Sequence, residues 1–256
     1  MAEASLASTR ARQASPYLTV AALLLVLPLA GFWRPYFQPL SQGAPLEPFV
    51  DFWVIHVHAA LFSTWMIGLV VQTALVRRGR ARLHRRLGLG LAAFGSAAAA
   101  FGLFATIALA VRRIEMGLPL DRAASFLIAG LTDMVVFAGF LLAALAFRHR
   151  PETHKRLMIL ATFTIALVGG ARVIVHFAPF LFDYEILGYR WLATLVLFSP
   201  LFLLALGDVL TRRSIHPAYV AGLLVFALMS LRPQISQTEV WLSVGRAILS
   251  PFAASH

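Results

Sequence analysis

The chain has 256 residues, of which 60% are hydrophobic and only 13% charged, and its mean hydropathy is +0.80. A soluble domain carries about 25% charged residues, so this composition belongs to a bilayer. The formal charge of +11 comes from basic residues in short loops between apolar runs, which excludes a continuous nucleic-acid-binding face; the lack of cysteine excludes disulfides, iron–sulfur clusters and thiolate metal sites.

The polar start, with Arg10 and Arg12, reads as a cytoplasmic segment over residues 1–16. No small-residue cleavage motif follows the first apolar run, which ends in GFWRPYF, so that run is expected to stay as a membrane helix. Seven apolar segments follow one another at about 17–33, 52–76, 87–111, 123–147, 157–178, 190–210 and 215–231. Each is near the length of about 20 residues that crosses the hydrocarbon core. The expected fold is therefore all-α, a polytopic transmembrane helix bundle forming one domain over 17–231. Short loops should set neighbouring helices antiparallel.

Lys and Arg are roughly twice as frequent on the side of the N-terminus as on the other, which places the N-terminus in the cytoplasm and the C-terminus outside. Glu185 and Arg190 then fall in an outer loop, and Trp33, Trp53 and Trp191 at the outer interface. The tail over 232–256 is too polar to span. Its TEVWLSVGRAIL stretch reads either as an amphipathic interfacial helix capped by Thr238 or as a frayed end. On the third segment Gly88, Ala92, Gly95, Ala99, Gly102 and Thr106 line one face, a seam that lets helices approach closely in lipid and suggests a central helix.

Ionisable groups inside a membrane are costly and mark either function or a structural pair. With a rise of about 1.5 Å per residue, His56 and His58 lie roughly 6–10 Å below the outer surface and Asp133 about 15 Å below it. Arg172 and His176 occupy the outer third of the fifth segment. All five converge on the outer half of the bilayer. Asp133 and Arg172, opposite in charge on adjacent helices, form the expected intramembrane pair. His56 and His58 stand about 200° apart and cannot share a site. His56 lies on a face with Ala59, Ala60 and Ser63 and is read as the inward one, although Gln72, on the face of His58, argues the other way.

A second group sits at the cytoplasmic surface: His84 in LHRRLG, and His149 and His154 in RHRPETHKRLM. The plain reading is solvated loop residues in a basic cluster, near anionic headgroups. HExxH, GxSxG, P-loop and paired intramembrane carboxylates are missing, which disfavours hydrolysis. Copper at the outer histidines lacks a Met-rich motif or a third clear ligand.

The paired LHRRLG and THKRLM turns, with HVH opening the preceding helix, resemble a family of multi-pass bacterial membrane proteins, which implies the bacterial inner membrane. More distantly, the arrangement is similar to b-type membrane cytochromes. That resemblance implies haem b held by His56 or His58 with His176 on the outer side, and by His84 with His154 on the inner side, with a quinone or a respiratory complex as partner. The common two-haem spacing is not met, since no single helix carries two histidines about 13–14 residues apart. Three functions follow: a haem-bearing redox protein, a transporter of a small solute or proton through a polar cavity, or a scaffold or assembly factor in which the polar residues only staple helices.

Overall fold

The computed structural model describes residues 16–183 and 191–253. Arg10, Arg12, Glu185 and Arg190 lie outside the described residues, as does the side chain of Trp191. Among the described residues the chain is helical, without a strand. Six helices are long and apolar enough to cross a membrane, or seven if a bent pair at the start counts as one span. The physical reason is common to all of them: in lipid each backbone N–H and C=O must be satisfied within its own segment, and a helix does this.

The first helix, α1 (Pro16–Gly31), runs into a single π turn at Trp33–Phe37 and a short α2 (Gln38–Gln42), bending by 55°. Then come α3 (Trp53–Arg77), α4 (Ala81–Glu115), α5 (Leu120–Ala146) and α6 (Pro151–Phe177). The turns between them are tight. Gly79 (φ 71°) and Gly117 (φ 91°) take the left-handed conformation at the ends of α3 and α4, a region costly for residues with a Cβ. Pro151 occupies the first turn of α6, where a missing N–H costs nothing. A 3₁₀ turn (Pro179–Phe182), α7 (Trp191–Arg212), α8 (Pro217–Met229), α9 (Arg232–Ile235) and α10 (Glu239–Ala253) complete the order.

The spans agree with the sequence reading, with two differences of consequence. Helix α4 has 35 residues, about 52 Å at helical rise. It begins inside the arginine-rich turn, so His84 is helical rather than a loop residue. Helix α8 has 13 residues and α9 follows it almost directly, the two together forming one span over Pro217–Ile235, so the last apolar run carries Arg232 within it.

The central helix is α6, not the small-residue helix α4 as expected. Helices α1 and α5 pack along α6, with α7 and α8 on it more lightly, while α4 packs on α3 and α5. The unbroken buried run Arg156–Ala166, apart from Met158, shows α6 enclosed on every side. The seam on α4 still does what its composition implies. Gly95 receives Trp65 of α3 and Leu141 of α5, and Gly102 receives Met134 and Phe62. Trp65 is fully buried, and its indole N–H donates to Thr162 Oγ1 of α6 (3.1 Å). On the opposite side Gly169 meets Pro28 of α1 backbone to backbone, so the room that glycine leaves is taken by a helix.

In the tail, Thr238 Oγ1 accepts from Trp241 N (3.3 Å), the expected cap of α10. Helix α10 packs its apolar face on α5 and α4. Leu249 is fully buried there, and Trp241 Nε1 donates to the Ala124 carbonyl (3.0 Å).

Candidate functional site

Three of the five residues expected to converge at one depth line a single cavity of about 520 Å³, enclosed by α1, α3, α4, α5 and α6. They are His58, Asp133 and Arg172, joined by Arg113, Tyr36, Thr106 and Ser63 on a wall that is otherwise apolar. Phe32, Phe62 and Met134 supply much of that apolar surface. A second cavity of about 460 Å³ lies on the far side of α5 and α6, and Asp133 and Arg172 line it too. These two charged residues therefore stand in the partition between two cavities.

The expected ion pair does not form. Asp133 pairs instead with Arg232, whose Nη1 lies 2.5 Å from Oδ1. The same guanidinium donates to Thr132 Oγ1 (3.2 Å) and the Ala129 carbonyl (3.3 Å). Because the last span continues through α9 to Ile235, Arg232 lies within it and meets Asp133 of α5 rather than standing in an outer loop. Arg172 rests on the ring of Phe32, 4.6 Å from its centre. Arg113 lies between the rings of Phe49 (4.7 Å) and Phe126 (5.0 Å). Neither Arg113 nor Arg172 has a carboxylate within ion-pair distance among the described residues.

The inward histidine is His58, correcting the preference for His56. His58 stacks on Phe62 at 4.6 Å, and its Nδ1 is buried without a hydrogen-bond partner among the described residues. His56 turns aside, with Nδ1 2.9 Å from the Tyr36 hydroxyl and Nε2 3.4 Å from Asp51 Oδ1. His176 lies against Phe177. No hydrogen bond or ring contact among the described residues joins it to His56 or His58.

The inner histidines do meet. His84 and His154 face each other across α4 and α6 with ring centres 6.4 Å apart and planes at 79°. Two axial ligands of one iron need about 4 Å between nitrogens, hence about 6 Å between ring centres. The spacing suits a haem; the protons do not. His154 Nδ1 donates to the Ala144 carbonyl (2.8 Å), leaving Nε2 bare, as an iron ligand should be. With its amide turned to satisfy both ends, Gln72 accepts from Gly88 N (3.2 Å). It then donates to the His84 carbonyl (3.1 Å) and to His84 Nδ1 (2.5 Å). The His84 proton then sits on Nε2, the nitrogen a metal would require. Among the described residues no third His, Asp or Glu joins this pair as a ligand. His149 is exposed.

Beside that pair lies a network in which sequence reading treated the basic partner as a loop residue. Arg156 is 1% exposed, and its Nε donates to Asp208 Oδ2 of α7 (3.0 Å) while Nη2 bonds Oδ1. Glu152 accepts from Lys155 (2.7 Å), from Arg156 (2.8 Å) and from Arg212. Tyr219 and Tyr17 stack on the Arg156 guanidinium. Asp208 and Arg212, four apart in GDVLTRR, were the available signal. His216 closes the network. Its Nδ1 accepts from Ala218 N (3.1 Å) and caps α8, and its backbone N–H donates to Asp208 (3.3 Å). Burial, and then the nearby Arg156, push the His216 imidazole below its ordinary pKa. The network ties α6, α7 and α8 together, with Tyr17 joining α1.

Comparison with protein-family models, curated proteins and solved structures finds no match to this chain. The chain is a multi-pass helical membrane protein by its own fold, and its chemistry is read from its own geometry.

Proposed function

We propose that the protein is a membrane-embedded solute-binding protein of the transporter class, with the cavity between α1, α3, α4, α5 and α6 as its binding site. The observation that supports this reading most is the convergence of His58, Asp133, Arg113 and Arg172 on one cavity of about 520 Å³, a size usual for small-molecule sites. An apolar wall with a few converging polar groups is the normal make-up of such a site. The buried, unpartnered Nδ1 of His58 supports it further, because an orphaned polar atom of this kind calls for a partner. The partition of Asp133 and Arg172 between two cavities suits a gate between two compartments. Native mass spectrometry of protein extracted in mild detergent tests the reading. Wild type should carry a bound small molecule that Ser63→Phe, which fills the cavity, does not. Identical ligand-free spectra for both would contradict it.

A second reading, haem binding, is favoured by the 6.4 Å spacing of His84 and His154. These two residues would hold the iron, which would supply one-electron chemistry. Gln72 would then have to turn its amide oxygen toward His84 Nδ1. Protein from haem-replete cells should show a Soret band lost in His154→Ala; a colourless wild type overturns this reading.

A further inference from the structure

The electrostatics of the cavity narrow its ligand. Two guanidiniums, Arg113 and Arg172, line it. The one carboxylate on the wall, Asp133, is taken up by Arg232. Among the described residues, Arg113 and Arg172 rest on aromatic faces and pair with no carboxylate. An aromatic face offsets part of a cation's charge but leaves its N–H donors free. Arg113 is half-buried and Arg172 exposed, so both keep N–H donors available that an anion entering the cavity would satisfy. Beside His58, Tyr36, Ser63 and Thr106, the rest of the wall is largely hydrocarbon, including Leu25, Ile55, Phe62, Met66, Met134 and Ile165.

We infer that the cavity takes a single-chain anionic amphiphile, its oxyanion head between Arg113 and Arg172 and its apolar chain along the α3–α5 wall. This rests on the cavity being a binding site and adds the chemical class of its occupant. A planar guanidinium presents paired donors that match the oxygens of either a carboxylate or a phosphate. The cavity volume, near 520 Å³, suits one acyl chain rather than a double-chain lipid. The head group has two sources, a fatty acid or an alkyl phosphate, and both share the chemistry that the arginines read.

The full-length protein in detergent micelles is titrated with three probes of equal chain length: oleic acid, oleyl phosphate and oleyl alcohol. The two anions should bind and the alcohol should bind at least about tenfold more weakly, the loss expected when charge-assisted hydrogen bonds are removed. Binding of only one anion identifies the source and still supports the inference. Arg113→Gln and Arg172→Gln should each weaken the anions by about tenfold and leave the alcohol unchanged. Should either variant fail to fold, the comparison of head groups on wild type decides alone. Ser63→Phe separates the cavity from a headgroup site on the surface. It should abolish binding, and undiminished binding overturns the inference. Alcohol bound as tightly as acid overturns the anionic assignment but leaves the binding cavity standing. Binding of none of the three overturns the assignment too, while the mass-spectrometric search for a native ligand still judges the cavity.

Discussion

Asp133 is held by a residue 99 positions away, and that pairing decides much about the cavity. A buried carboxylate without a counterion is strongly unfavourable, whereas removing both partners of a buried pair is often neutral. Arg232→Gln should therefore destabilise the protein by about 3–5 kcal/mol, measured by denaturant titration in mixed micelles. Adding Asp133→Leu should recover most of the loss. A single variant with near wild-type stability would show that the pair is not the staple described. The same logic applies to the other buried pair. Asp208→Asn leaves Arg156, itself 1% exposed, short of its main acceptor and should cost a similar amount.

At the scale of elements, two predictions separate packing from polarity. Helices α1 and α6 cross where Gly169 meets the Pro28 backbone, and a side chain there has nowhere to go. Gly169→Leu should lower the melting temperature markedly by pushing α1 off α6. Gly139→Ala, on α5 with open space around its Cβ position, should be neutral or slightly stabilising. Equal effects of the two would contradict the close crossing. The cap of α8 predicts a pH dependence. His216 caps the helix through a bare Nδ1, so protonation removes the acceptor. Its folded pKa lies below the ordinary value of 6.5, so the unfolded chain binds the proton first. Stability is full above about pH 6.5 and falls as pH drops below that value. His216→Asn keeps a capping acceptor and should flatten the decline in melting temperature between pH 7.5 and 5. A decline unchanged in that variant would place the titrating group elsewhere.

At the scale of the whole molecule, the spans were legible because they depend on local hydropathy and length alone. The convergence of His58, Asp133 and Arg172 was legible for a related reason: helical rise converts sequence position into depth. What sequence did not show is which groups face one another at that depth. His56 and His58 share a depth, and only packing against Tyr36 and Phe62 distinguishes them. Arg232 reads as an outer residue just past the last apolar run until that span is seen to continue to Ile235. The centrality of α6 over α4 was hidden too, because a small-residue seam reports close approach on one face and not enclosure on all faces.

The central claim is that Arg113 and Arg172 serve a ligand rather than a carboxylate of the protein. A cryo-electron microscopy map of the protein in lipid nanodiscs, prepared from native membranes without added ligand, tests it most directly. The account predicts elongated density in the cavity beside His58, ending within hydrogen-bond distance of Arg113 and Arg172, with Asp133 still on Arg232. A cavity closed by side chains, with Arg172 swung onto Asp133, would contradict it.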